Sequence, residues 1–318
     1  MTPLHSNHST MMRKFSFTSH DHTTTIHGYL WVPKIPVRAI LQISHGMTEH
    51  IVRYDSFAKY LNTKGVLVVG HDHLGHGESV QSEDLRGYFA EKDGDKIVIH
   101  DLYQITRHIH EQYPGIPYFI LGHSMGSFFA RRFIAYYGNE IDGAILLGTG
   151  YKKPLTINSA IAITSLVGKV KKPQQTSRLI ETFGFGHFNK KIPMSKTPKD
   201  WLSKDAKIIE NYLNDPACMF EFTINGYETL FKSIRIACDP RLMEKMPKTL
   251  PVLIASGEDD PVGDYGAGIK TVYKMFSEVG MQDVSLRLYP NDRHELLNES
   301  DREQIFQDIW QWIYSHII

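Results

Sequence analysis

Hydrophobic positions along this chain follow two rhythms. Lys14 to Thr18 alternates apolar and polar residues, His20-Asp21-His22 turns the chain, and Thr25 to Val32 returns, which predicts a hairpin. Ala39 to Ser44, Val66 to Gly70, Tyr118 to Leu121 and Ala144 to Leu147 are instead almost continuously apolar. Strands of that kind are covered on both faces. Between them, residues 53–64, 95–112 and 128–137 predict helices, with Ile97, Leu102, Ile105 and Ile109 sharing one side of the second. Alternating strands and helices predict an α/β fold with a mostly parallel central sheet flanked by helices.

After Gly150 the rhythm breaks. Residues 156–168, 175–184, 199–213 and 217–237 read as helices, and no strand stands out among them. Alternation resumes with a strand at Pro251 to Ser256, a helix over 265–279, a strand from Val284 to Tyr289 and a closing helix over 301–317, with Ile305, Ile309, Trp312 and Ile313 inward. The expected organisation is a flexible tail over 1–12, a core of 13–150 and 240–318, and a helical cap, or lid, over 151–239. The first ten residues are polar and lack the apolar stretch of a secretory signal, and Met11 or Met12 would serve as an alternative start.

Composition narrows the classes. The chain has 318 residues, 42% hydrophobic and 22% charged, with 35 basic and 35 acidic residues and no net charge. That argues against a nucleic-acid binder with a broad basic surface. No run of 18 apolar residues predicts a membrane span. Cys218 and Cys238 read as free thiols of a cytoplasmic protein. The neutral total hides an asymmetry. Residues 151–239 hold 14 Lys or Arg against 8 Asp or Glu, and the rest of the chain holds 21 against 27, so a cap of +6 sits on a core of −6.

The candidate chemistry begins at Gly122-His123-Ser124-Met125-Gly126, after a strand and before a helix. A serine on a sharp strand-to-helix turn has its hydroxyl raised above the sheet edge, and the flanking glycines remove Cβ atoms that would clash there. The N–H groups that open the helix face developing negative charge. Without partners the same motif is only a tight turn. A serine nucleophile needs a base, and the base needs an orienting carboxylate, on loops after later strands. One such loop is Gly257-Glu258-Asp259-Asp260-Pro261-Val262; the other is Pro290-Asn291-Asp292-Arg293-His294-Glu295. His294 is the candidate base. Asp260 is favoured as the acid because the following proline holds it extended, with Asp259 second. The N–H groups of Met125 and of Met47, in His45-Gly46-Met47-Thr48-Glu49-His50, are candidate oxyanion-hole donors. His71, His73 and His76 have a spacing that zinc could use, which leaves a metal-dependent hydrolase as an alternative.

Taken in order, His45-Gly46-x-x-Glu49-His50 with Arg53-Tyr54, Asp72-x-x-Gly75-His76-Gly77-x-Ser79, the Ser124 motif, Asp260-Pro261-Val262 and His294-Glu295 form a pattern. It resembles the monoacylglycerol lipase and lysophospholipase-like branch of the α/β-hydrolase superfamily, grouped with the serine aminopeptidase (S33) domain. The resemblance covers roughly 27–150 and 245–318 and stops short of the cap. It implies an α/β-hydrolase fold with the cap inserted after the sixth strand. It also implies Ser124 as nucleophile, Asp260 as acid, His294 as base, Met47 and Met125 as oxyanion-hole donors, a structural role for the Asp72–Gly77 loop, and no cofactor. Thr48 departs from the pattern, since many relatives have glycine there.

The expected activity is serine-dependent hydrolysis of lipid-like acyl esters through an acyl-enzyme. An S33 aminopeptidase is the alternative, although prolyl aminopeptidases of that group usually carry tryptophan where Met125 follows Ser124. Ile157, Ala160, Ile161, Ile163, Thr164 and Val167, followed by Lys169, Lys171 and Lys172, suit a lid that transiently touches an anionic lipid surface and lines the substrate site near Ile157 and Ile161. The same pattern fits an amphipathic helix packed on the core. The expected partner is a small acyl ester, with no nucleic acid, and the expected location is cytoplasmic and peripheral at the membrane.

Overall fold

Each continuously apolar run lies inside one eight-stranded sheet in the computed structural model, which describes residues 12–317. The chain runs through β1 (Met12–Thr18), β2 (Thr25–Trp31), β3 (Ala39–Ser44), α1 (Asp55–Asn62), β4 (Val66–His71), α2 (Gly94–Gln112), β5 (Tyr118–His123), α3 (Met125–Tyr137) and β6 (Gly143–Leu147). It then forms α4 (Pro154–Gly168), α5 (Arg178–Phe185), α6 (Ala206–Leu213), α7 (Ile224–Ala237) and α8 (Pro240–Met243) before β7 (Val252–Gly257), α9 (Ala267–Glu278), β8 (Val284–Tyr289) and α10 (Arg302–Ser315). The sheet order is β1-β2-β4-β3-β5-β6-β7-β8. β2 is antiparallel to both β1 and β4, and every other pairing is parallel.

Alternate residues of each strand serve different layers. Tyr118 and Ile120 of β5 join a core with residues of α2, α3 and α9, while Phe119 and Leu121 join a second core with α1 and α10. Strict alternation with two apolar layers gives a continuous apolar run.

Some boundaries differ from the sequence expectation. Met12, placed in the tail, pairs with Trp31 in β1, and the remainder of the expected tail lies outside the described residues. The helix expected over 199–213 starts at Ala206, where the Asp205 side chain accepts the N–H groups of Lys207 and Ile208. The helix expected over 217–237 starts at Ile224, with Thr223 accepting the Gly226 N–H. Both are side-chain caps that a periodicity reading passes over. α3 starts three residues early, at Met125, directly after Ser124.

α7 packs on α3, and two buried arginines of α3 tie the segment between β6 and β7 to the sheet. Arg131 donates to the carbonyls of Gly150 (2.9 Å) and Ala237 (2.6 Å), at the segment's start and near its end. Arg132 pairs with Asp95 (3.0 Å) and donates to the Ser233 hydroxyl (3.1 Å). Among the described residues no helix is long and apolar enough to cross a membrane.

Candidate active site

Ser124 stands between β5 and α3 with φ 52° and ψ −120°. A non-glycine residue there carries strain, of order 1–3 kcal/mol, and needs surroundings that hold it. Its N–H donates to the Leu147 carbonyl (2.9 Å), and its carbonyl accepts from the N–H (2.9 Å) and the hydroxyl (2.6 Å) of Ser127. The turn leaves no room for side chains beside it. A Cβ on Gly126 would lie 2.0 Å from the Ser44 carbonyl oxygen, and one on Gly122 would lie 2.4 Å from that of Gly126.

The other two candidates meet after β7 and β8. His294 Nδ1 donates to Asp260 Oδ2 at 2.9 Å. Asp260 is fully buried and also accepts the Ser256 hydroxyl (2.8 Å) and the Val262 N–H (2.8 Å). Burial opposes its charge, but His294 and these donors outweigh it and hold its carboxyl below the usual range. Asp259, the second candidate, is exposed, as is Glu258. His294 packs between the rings of His123 (4.8 Å) and Trp201 (4.9 Å). Its Nε2 is buried without a hydrogen-bond partner among the described residues. His294 and Ser124 line the same cavity, of about 730 Å³.

Met47 and Met125 line that cavity too. The Met125 N–H opens α3 and has no carbonyl a turn earlier within the helix to bond. Beside Met47, Thr48 adopts φ 51°, a conformation in which a β-branched residue is a marked outlier and glycine is at ease. Tyr212 of α6 holds it there: its hydroxyl donates to the Thr48 carbonyl (2.7 Å) and accepts from the Thr48 hydroxyl (2.7 Å).

Beneath this loop lies a charged network to which the sequence reading assigned no role. Glu49, buried, accepts from the Gly46 N–H, the Tyr54 hydroxyl (3.0 Å), Arg53 (3.0 Å) and His123 Nδ1 (3.0 Å). Arg53 also makes two 2.7 Å bonds to Glu295. Burial would raise the Glu49 carboxyl, but His123 and Arg53 keep it well below the usual carboxylate range. Burial likewise disfavours a charged His123, yet its hydrogen bond to Glu49 and the charges of Glu49 and Glu295 push its pKa up. His123 Nε2 faces the His294 carbonyl (3.3 Å), so the network joins the Met47 loop, the serine turn and the His294 loop. The sequence signal for it was that Glu49, Arg53, Tyr54 and Glu295 belong to the recurring pattern itself.

The histidine-rich loop behaves differently. His45, His71, His73 and His76 are fully buried, and burial lowers all four pKa values, that of His71 to about 3 and that of His76 to about 4. They are neutral packing groups. His73 Nε2 meets the Ser44 hydroxyl (3.0 Å), the His73 N–H donates to His45 Nε2 (2.9 Å), and His76 Nδ1 donates to the Leu74 carbonyl (2.9 Å). The ring nitrogens of His71, His73 and His76 are not gathered as a metal-ligand set; among the described residues that arrangement occurs elsewhere, at His50, Asp215 and Cys218.

The segment between β6 and β7 supplies much of the remaining cavity wall, including Ile157, Phe183, Trp201, Phe220 and Phe231. Ile157 is on that wall. Ile161 is not on that wall; it is partly buried against the core, one turn along α4. Lys199, near Glu181 and Glu295, also lines the cavity, and burial lowers its pKa.

A family model described as serine aminopeptidase, S33, matches residues 35–301. The chain is 26% identical over 291 residues to a monoglyceride lipase of Rattus norvegicus, covering 91% of this chain and 86% of that protein. It is 25% identical over 293 residues to a monoacylglycerol lipase of Mycolicibacterium smegmatis, covering 91% and 92%. Among solved structures, a thermostable carboxyl esterase from Bacillus coagulans in complex with glycerol superposes with a TM-score of 0.91 at 29% identity, covering 98% of this chain and all of that one.

Proposed function

The chain belongs to the serine aminopeptidase S33 family and has the α/β-hydrolase fold, and from that premise we propose that it hydrolyses lipid-like carboxylic esters, of the monoacylglycerol or lysophospholipid type, through an acyl-enzyme on Ser124. One observation carries the reading: His294, bonded to the buried Asp260 behind it, lines a largely apolar cavity together with a serine on a strained strand-to-helix turn.

In the first step Ser124 Oγ attacks the ester carbonyl carbon, and its proton passes to His294 Nε2. Asp260 fixes the tautomer by accepting the Nδ1–H, and steadies the imidazolium. The N–H groups of Met47 and Met125 face the developing oxyanion. His294 then protonates the departing alkoxide. Water, deprotonated by His294, cleaves the acyl-enzyme and regenerates Ser124. Aromatic and aliphatic side chains on the cavity wall suit an acyl chain, and the names of the relatives point to the same substrate class.

The inserted segment acts as a cap that touches lipid. Leu155, Leu166, Val170, Leu179 and Met194 are exposed on it, and Leu166 and Val170 adjoin Lys169, Lys171 and Lys172 in the chain. Apolar groups beside lysines favour transient binding to anionic membranes.

Mass spectrometry after reaction with a fluorophosphonate tests the chemistry. The adduct is expected on Ser124, with activity insensitive to chelators. An unmodified Ser124 with chelator-sensitive activity would favour a metal-dependent hydrolase. Turnover of aminoacyl-naphthylamides in preference to long-chain esters would favour an aminopeptidase.

A further inference from the structure

His50, Asp215 and Cys218 bring a nitrogen, an oxygen and a sulfur together, with Cys218 on the wall of the cavity that Ser124 and His294 line. His50 follows the Met47 loop, while Asp215 and Cys218 lie in the turn between α6 and α7. Their ligand atoms all fall within 4.8 Å of one another. His50 Nε2 is 2.8 Å from Asp215 Oδ2. The local chain directs these groups. Asp215 Oδ1 accepts the Ala217 N–H (2.8 Å), which turns Oδ2 toward His50. The Cys218 N–H donates to the Asp215 carbonyl (2.9 Å), which brings the thiol back over its own turn. Two ligands three residues apart in a tight turn, with a third from a distant loop, is a spacing that structural zinc sites use.

The dimensions fit. Bonds of ordinary length around tetrahedral zinc put neighbouring ligand atoms about 3.3–3.8 Å apart. The three ligand atoms, 2.8 Å apart for His50 and Asp215 and within 4.8 Å throughout, bracket that separation. Cys218 is buried, while His50 and Asp215 are partly exposed, so the cluster has a protected thiol and an edge open to water. The charges around it are mixed. Arg53 lies near Cys218 but is already paired with Glu49 and Glu295.

We propose that His50, Asp215 and Cys218 bind a thiophilic divalent ion of the zinc or cobalt type, with water as fourth ligand. The site clips the α6–α7 turn to the loop that carries Met47. On binding, the Cys218 S–H bond breaks, a sulfur–metal bond forms and the proton leaves to solvent. A site with one thiolate and one imidazole selects such ions over magnesium or calcium, which prefer all-oxygen sets. The clip lies where Tyr212 already grips Thr48, so an ion there stiffens the contact between inserted segment and core.

Titrating the full chain with cobalt(II) tests this. One equivalent is expected to produce a thiolate-to-cobalt charge-transfer band, displaced by zinc. Cys218→Ser should abolish the band, and His50→Gln and Asp215→Asn should each weaken binding at least tenfold. Cys238→Ser, at the other buried thiol, should leave it unchanged. His50→Gln alters a partly exposed residue and serves as the informative variant if Cys218→Ser unfolds. Absence of the band at one equivalent, or its persistence in folded Cys218→Ser or at full affinity in His50→Gln, would overturn the proposal. The readout is spectral, so it stands or falls apart from ester hydrolysis.

Discussion

The sheet and the segment between β6 and β7 wall the same cavity but bury their residues differently. Every residue of β3, β5, β6 and β7 is buried. α4, by contrast, buries Ile157, Ala160 and Thr164 and leaves Leu155 and Leu166 exposed. In the sheet region, charged groups beside the cavity are paired several times over, as at Glu49 and Asp260. The inserted segment is tied to the core at scattered points: the two arginines of α3, the Tyr212–Thr48 contact, Asn225 with the backbone of Phe89 and Ala90, the Lys204–Asp292 pair and hydrogen bonds such as Arg293 to the Ser203 carbonyl (3.0 Å). The difference teaches a division of labour. The proposed acyl transfer requires atoms held to a fraction of an ångström, and a fully packed sheet edge supplies that. The apolar substrate chain proposed above requires a wall that moves, and a wall with less buried surface suits that.

The largest effect is expected at the sheet edge. Ser124→Ala should cut turnover of a soluble p-nitrophenyl ester by about 10⁴-fold or more while leaving the melting temperature near that of the parent. Near-normal turnover would remove the chemistry from the sheet edge. Next, Asp260→Asn should cost about 10⁴ in kcat, because it disturbs the His294 tautomer, whereas Asp259→Asn, at an exposed position, should change kcat less than about twofold. A larger loss at Asp259 would reverse the assignment.

A third prediction concerns the buried histidines of the sheet side. With folded pKa values of about 3 for His71 and about 4 for His76, against 6.5 for a free imidazole, the native state binds fewer protons than the unfolded chain between those limits. The stability this represents is complete above pH 6.5 and is lost as the pH falls toward about 4 and then about 3, by roughly 8 kcal/mol in all. Melting curves between pH 7 and 4 should show the fall. His76→Phe, placed among Phe89, Phe220 and Phe222, should flatten it. An unchanged slope in that variant would mean that other groups govern acid unfolding.

Two smaller effects sharpen the boundary between the regions. Tyr212→Phe removes the hydroxyl that steadies Thr48, and kcat should fall about tenfold with KM for a short soluble ester little changed. An equal loss in KM alone would place Tyr212 in substrate binding. Replacing exposed Val170 and Leu166 with serine should leave soluble-ester turnover untouched and weaken binding to anionic vesicles several-fold. Unaltered vesicle sedimentation would assign these residues no part in lipid contact.

What the sequence by itself determined is local. Continuous apolar runs define strands that must be covered on both faces. Glycines two residues either side of Ser124 permit a turn that larger residues would clash in, and the order of Ser124, Asp260 and His294 follows from loops after successive strands. Among the adjacent acidic residues, only the proline after Asp260 and the family pattern favoured it in a linear reading. The folded chain separates Asp260, buried against His294, from exposed Asp259. The starts of α6 and α7 depended on single capping side chains rather than on periodicity. Thr48 looked out of place until Tyr212, 164 positions away, was seen to hold its backbone. Arg53 meets Glu295 across 242 positions, and His50 meets Asp215 across 165. Such contacts leave no trace in spacing, because a side chain's partner is set by which loops the sheet order brings together, and its charge by what is buried around it.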